Sequence, residues 1–368
     1  YKEKKGNEFV GGLPFYGQRI LYNSRFVGWL LSFVFIVYAL FNIPAQTFNV
    51  FSAIGGIAEI ATGSHYGRQS FLYYSIAVIL VIFCSFIIFG GIRRVIAYSD
   101  FLVPIKASTF CVISLIIIII NFPMVPYFFK EVFIGAFLPQ AIFGGTIGTA
   151  LAQGVKRGLM SNEAGQGTIT MAAAVANSRH PCEQGLVQSF GVFFDTMVIC
   201  TLTGFIVVMA HVWTGDIHGV MWESIQESKI TLYLTSVRSL TPAAFITFVE
   251  IIMCACYGLF AFTTLLGMIS FAEISANFIS RKTRFIFFIR ILGSCIFVPF
   301  GSLTILAGLK LSNLWFISDL MNIIMVYINI PLLLIGLPIV LKTLAHYRKN
   351  PTQRFISQDI GIKTDYWK

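Results

Sequence analysis

The chain alternates long apolar runs with short polar joints. Residues 1–23 are basic and polar and read as an interfacial loop. Apolar runs of about 18 residues or more, each long enough to cross a bilayer as a helix, then recur at 26–54, 71–88, 101–121, 186–212, 243–271, 285–309 and 315–341. Between the third and fourth lies a softer stretch, 133–152, with Pro139, Gln140 and the Gly144-Gly145 pair. It leads into Arg157-Gly158-Leu159-Met160-Ser161-Asn162-Glu163-Ala164-Gly165-Gln166-Gly167-Thr168, where glycines and polar groups stand in place of leucine. Hydrocarbon offers no water to satisfy open backbone, so non-helical chain at membrane depth survives only buried in protein or lining a wet cavity. The pattern therefore predicts a helix interrupted to build a site, resuming after Gly167 and running to about residue 177. Arg179-His180-Pro181 ends it, because proline and the residue before it both resist helix. A polar segment, 213–241, separates the fourth and fifth runs. With the broken helix counted once, the chain reads as an all-α integral membrane protein of about eight spanning elements.

Composition agrees. The chain is 57% hydrophobic and 11% charged, with a mean hydropathy of +0.80, whereas a soluble domain runs near 45–50% apolar and about 25% charged. The net charge of +10 would suggest nucleic acid only if the cations shared a soluble face. They fall instead between spans, and most lie on the side shared by the two ends, among them Lys2, Lys4, Lys5, Arg93, Arg94, Arg281, Lys282, Arg348 and Lys349. The opposite joints carry Arg68, Lys130, Lys229, Arg238 and Lys310. The positive-inside rule then places both ends in the cytoplasm of a multi-pass cell-membrane protein. No secretory signal is visible in the basic opening. The seven cysteines show no metal-like spacing and read as small hydrophobes within apolar spans.

The interruption supplies the candidate chemistry. The half-helix beginning near Gly165 would present free N–H groups and a partial positive charge to a carboxylate. The half ending near Arg157 and Leu159 would present carbonyls to a cation or an ammonium, with Lys156 and Arg157 capping that end. A zwitterion would be held at both ends. Ser161, Asn162, Gln166 and Thr168 add neutral donors and acceptors, and Gly165 and Gly167 allow close approach to backbone. The plainer alternative is a glycine-kinked helix whose Asn162 and Glu163 are satisfied by neighbours. Glu163 and Asp195 are intramembrane acids that should face protein or water. Asp195 reads either as an ion-path or proton-linked carboxylate or as a partner for Lys156, Arg157 or a helix terminus. Thr263 and Thr264 supply adjacent mid-span hydroxyls of the kind Na+ accepts, although threonine in a helix more often bonds its own backbone at i−4. Gln46, Asn49, Asp319, Asn322 and Asn329 read as interhelical glue more readily than as ligands. Hydrolytic and ATP-driven chemistry fit badly, because GxSxG, HExxH and Walker-type loops are missing from the sequence.

The run Arg157 to Gly167 resembles the signature RGLFSNEAGxGS of the alanine or glycine:cation symporter family. The likeness continues through Gln184-Gly185-Leu186-Val187-Gln188-Ser189, Phe194-Asp195-Thr196, Val198-Ile199-Cys200-Thr201, Phe260-Ala261-Phe262-Thr263-Thr264 with Gly267, Glu273, and the stretch from Ser318-Asp319-Leu320 to Tyr347. It implies a LeuT-like fold of two inverted five-helix repeats, moving a small neutral amino acid with Na+ or H+ and without a further cofactor. Residues 1–132 would be the remainder of the first repeat, 133–347 the second repeat opened by the broken helix, and 348–368 a basic cytoplasmic tail. Thr263 and Thr264 fall where that fold commonly places an ion, and Thr264 and Met268 would border the substrate. The family's peripheral helix, two opening helices and TxGTGN-type segment have no counterpart here, so the repeat is expected to be N-terminally incomplete and these residues alone not to transport. Met268 and Thr168 also depart from the usual residues, which leaves alanine or glycine preference open. A non-transporting membrane sensor, or an inactive fragment of a transporter, is the alternative reading. Oligomeric state is not legible.

Overall fold

A computed structural model describes residues 1–5, 8–64, 66, 70–134, 146–161, 163–211, 229–308, 311–364 and 366–367. The opening is not the loop expected. Strands β1 (Lys2–Lys5) and β2 (Glu8–Gly11) pair antiparallel with Lys2 opposite Gly11, and helix α1 (Leu13–Ile20) follows. Val10, Leu13 and Phe15 are buried, so burial of this short apolar series against the bundle, rather than its charge, decides the local structure.

The membrane helices are α2 (Arg25–Thr62), α3 (Phe71–Phe89), α4 (Ile92–Ile120), α8 (Pro181–Met209), α10 (Ile246–Ile279), α11 and α12 (Leu311–Lys349). Between α4 and α8 come the short α5 (Val125–Phe129) and the two halves of the broken helix, α6 (Thr146–Ser161) and α7 (Thr168–Val175). Helix α9 (Lys229–Leu240) precedes α10, and α11 runs from Thr283–Ile291 through a π-helical segment, Leu292–Phe297, into Val298–Leu306. Among the described residues seven helices are long and apolar enough to cross a membrane. Several run past the apolar stretch that announced them. Helix α4 begins at Ile92 rather than near residue 101, and α12 continues through Lys349. Much of the soft stretch before α6 and of the polar segment before α9 lies outside the described residues.

The core is built on α2 against α10, which pack along most of their length, with α1, α3, α11 and α12 around them. Phe35, Ile43, Leu265 and Ile269 are wholly buried there. Close approach needs small residues, as between helices generally in lipid. At Gly301 of α11 a Cβ would stand 2.7 Å from the Pro44 carbonyl oxygen of α2. The outward faces of α3, α4, α8 and α12 carry exposed phenylalanine, isoleucine and leucine, as a lipid-facing surface requires. Both ends of the chain meet on one side. Lys2 Nζ donates to the Ala176 carbonyl at 2.8 Å and lies over the rings of Phe9, Tyr366 and Trp367.

Candidate functional site at the broken helix

Helix α6 stops at Ser161 and α7 starts at Thr168, directly after Gly167 as the sequence pattern predicts, and ends at Val175. The link uses left-handed backbone twice. Glu163 has φ 57° and Gly167 has φ 83°; glycine meets that conformation without penalty, whereas a residue with a Cβ pays for it. Gly167 is needed for a second reason, since a Cβ there would come within 3.0 Å of the Asn329 side chain. Glu163 is held in its strained position by its own neighbours. Its carbonyl accepts from Gly167 N at 3.1 Å, and its Oε2 accepts from Thr168 Oγ1 at 2.8 Å. A carboxylate thus already stands beside the first residue of α7, where the partial positive end of a half-helix favours one.

Three other helices reach into the break. From α12, Asn329 Nδ2 donates to the carbonyls of Ala164 at 3.0 Å and Gly165 at 2.9 Å, while its Oδ1 accepts from Tyr16 of α1. From α2, the Tyr38 hydroxyl donates to Gln166 Oε1 at 2.7 Å. Gln166 is 1% exposed, and its Nε2 has no partner among the described residues. A buried amide donor left unpaired is costly. From α8, Asp195 Oδ2 accepts from Ser161 Oγ at 2.7 Å. Asp195 occupies the π-helical segment Phe194–Ile199, an interruption of the kind that recurs at functional sites.

The seam continues along α2 and α12. Ser318 donates to Asn42 Oδ1, and Asn42 Nδ2 donates to the Tyr38 carbonyl at 2.8 Å. Asn322 lies between Ser318 and Asn329 on the same buried stripe of α12, and neither end of its amide has a partner among the described residues. Sequence reasoning set Asn322 and Asn329 aside as glue. Their spacing of seven residues, which returns a side chain to the same helical face, is the signal that would have grouped them.

The predicted residues divide accordingly. Ser161, Glu163, Gly165, Gln166, Thr168 and Asp195 come together at the break. Asn162 lies outside the described residues. Arg157 does not cap α6. It makes a two-pronged ion pair with Asp319 of α12, at 3.1 and 3.2 Å, beneath the Trp315 ring. The guanidinium fork matches a carboxylate better than a row of carbonyls. Only the backbone of Lys156 is described. Thr263 and Thr264 stand on the unbroken α10 and bond their own helix, Thr264 to the Phe260 carbonyl at 3.0 Å. Met268 is buried in the apolar core.

A cavity of about 360 Å³ opens one turn beyond the break, lined by Tyr16 and Thr170 together with Leu332, Gly336 and Trp367. The joint from α7 to α8 closes one side of it. His180 Nδ1 accepts from Cys182 N at 3.1 Å as the N-cap of α8, and its Nε2 faces His346 Nδ1 at 3.3 Å. Burial, chiefly, and the neighbouring His346 hold the His180 imidazole below its ordinary pKa, which keeps the accepting nitrogen free.

The sequence model of the sodium:alanine symporter family matches residues 1–359. The amino-acid carrier protein AlsT of Bacillus subtilis (strain 168) is 31% identical over 355 residues, 96% of this chain and 69% of that protein. The probable sodium/glutamine symporter GlnT of the same organism is 30% identical over 95% of this chain and 67% of its own length. The sodium/alanine symporter AgcS of Methanococcus maripaludis is 41% identical over 132 residues, 36% of this chain and 29% of its own length.

Proposed function

The chain belongs to the sodium:alanine symporter family, and from that membership we propose that it moves a small neutral amino acid, alanine or glycine, into the cell together with Na+, gripping it at the break between α6 and α7. The family is one of transporters, not enzymes. The observation that carries the reading is Gln166: an amide anchored at one end by Tyr38, buried, and without a partner at the other among the described residues. Such a donor suits a substrate carboxylate or carbonyl. The open amide of Asn322 on the facing stripe offers a second neutral contact. Neutral amides and hydroxyls bind a zwitterion without imposing net charge. Ser161, Asn162, Gly165 and Thr168 complete the lining from the broken helix, and Thr264 and Met268 border it from α10. Asp195, bonded to Ser161, is the acid placed to serve the ion path, for Na+ or for H+.

In this reading the helices form a LeuT-like pair of inverted repeats, 1–132 and 133–347, with 348–368 as the tail and both ends in the cytoplasm. The meeting of the two ends on one side supports that orientation, with the broken helix taken as an eighth crossing beside the seven long helices. The test is uptake of radiolabelled alanine by the intact protein in proteoliposomes under an inward Na+ gradient. Gln166→Leu should lower uptake by roughly tenfold or more, the loss expected for one buried polar contact of about 1–3 kcal/mol. Unchanged kinetics in that variant would remove the break from the substrate path.

A further inference from the structure

Lys106 is a cation that the transport reading leaves without a task. It stands on α4, facing α10, and is 3% exposed. Its Nζ donates to Thr263 Oγ1, lies 3.5 Å from the Leu259 carbonyl oxygen and stands 4.6 Å from the centre of the Phe260 ring. No carboxylate reaches it among the described residues. The two acids of α10 are engaged elsewhere, Glu250 with Arg238 and Glu273 with Arg290, and each is roughly 15–20 Å along the helix from Thr263 at a rise of about 1.5 Å per residue.

A buried ammonium ordinarily pairs with an acid, because low dielectric penalises a lone charge. Here it is met by a hydroxyl, a peptide oxygen and an aromatic face. Neutral oxygens are what a bare monovalent ion takes, and the ring face attracts cations through its quadrupole. The Thr263 hydroxyl, the oxygen that made this stretch of α10 a candidate Na+ ligand, is occupied by a charge that the chain supplies itself.

We propose that Lys106 is the resident cation of this site. Its ammonium takes the position that Thr263 would offer to Na+, so Na+ does not bind at Thr263, and the coupling ion is held by other groups. A second cation on Thr263 Oγ1 would stand within a few ångströms of Nζ in a water-poor seam, where like charges repel strongly. The inference rests on the symporter reading only in taking Na+ as an ion the protein meets.

The experiment counts radiolabelled Na+ bound per molecule of the purified intact protein in four forms: wild type, Thr263→Val, Lys106→Met, and the two combined. Thr263→Val alone should leave the count at the wild-type value. Lys106→Met should bind one more Na+ than wild type, and adding Thr263→Val should abolish that gain. Loss of a Na+ in Thr263→Val alone overturns the proposal, as does a wild-type count in a folded Lys106→Met. If Lys106→Met does not fold, the Thr263→Val count decides. Alanine uptake measured in parallel reads the symporter proposal separately: absent uptake with the expected Na+ counts removes the transport assignment and leaves Lys106 in place.

Discussion

The broken helix carries hydroxyls and one carboxylate inside an apolar chain and α10 carries hydroxyls and two, and they dispose of them in opposite ways. On α10 the backbone never opens. Thr263, Thr264 and Ser270 turn back to carbonyls of their own helix, and Glu273 is neutralised by a two-pronged pair with Arg290 at 2.8 and 2.6 Å. Between α6 and α7 the backbone parts; Asn329 of α12 meets two of its carbonyls, and Tyr38 of α2 and Asp195 of α8 meet the Gln166 and Ser161 side chains. The comparison teaches that polarity within a span does not make a site. What matters is whether the local helix can absorb the polar groups or must leave some of them for a guest.

The largest test falls on the self-contained side. Arg290→Met should destabilise the protein by about 3–5 kcal/mol, because it strands a buried carboxylate, and Arg290→Met with Glu273→Leu should recover most of the loss in a thermal unfolding series. A mild single variant would mean that α10 does not depend on internal pairing. Asn329→Leu tests the other side. It removes both amide donations to the open carbonyls of Ala164 and Gly165 and should cost about 2–3 kcal/mol, with alanine uptake falling alongside; a variant as stable as wild type would show that the break holds itself open.

At the far end of the broken helix, His180→Ala should lower stability by about 1 kcal/mol through loss of the α8 cap. Acidification should imitate it. The folded pKa of His180 lies below the ordinary 6.5, so the folded protein binds fewer protons there than the unfolded chain. Stability therefore stays level above pH 6.5 and falls as pH drops from 6.5 through the folded value. Melting curves of wild type and His180→Ala should converge at acid pH. The smallest effect belongs to Thr264→Val, whose hydroxyl serves only its own helix among the described residues; a change beyond roughly 0.5 kcal/mol would break the contrast between the two regions.

Much of this was legible in advance for a physical reason: hydrocarbon leaves few options for backbone. The apolar runs announced seven helices, and the glycines from Gly158 to Gly167 announced the break. What escaped was whatever depends on distant partners. Nothing local to Gln166 names Tyr38, 128 positions away, or joins Asn329 to Gly165 across 164. Arg157 offered a cap by position and took Asp319 by geometry. The grip of Lys106 on Thr263 spans 157 residues. The opening hairpin was hidden by its lysines, whose charge masked the burial of Val10, Leu13 and Phe15.

Helix α12 has a further consequence. It touches the interrupted stretch at Asp319 with Arg157, at Asn329 with Ala164 and Gly165, and at His346 with His180, fixings spread over roughly 40 Å at about 1.5 Å per residue. A continuous rod lashed at top, middle and bottom to a snapped one works as a splint. Any swing of the fractured piece must carry α12 with it or undo a lashing, so Arg157, Asn329 and His180 are where a moving transporter would first show strain.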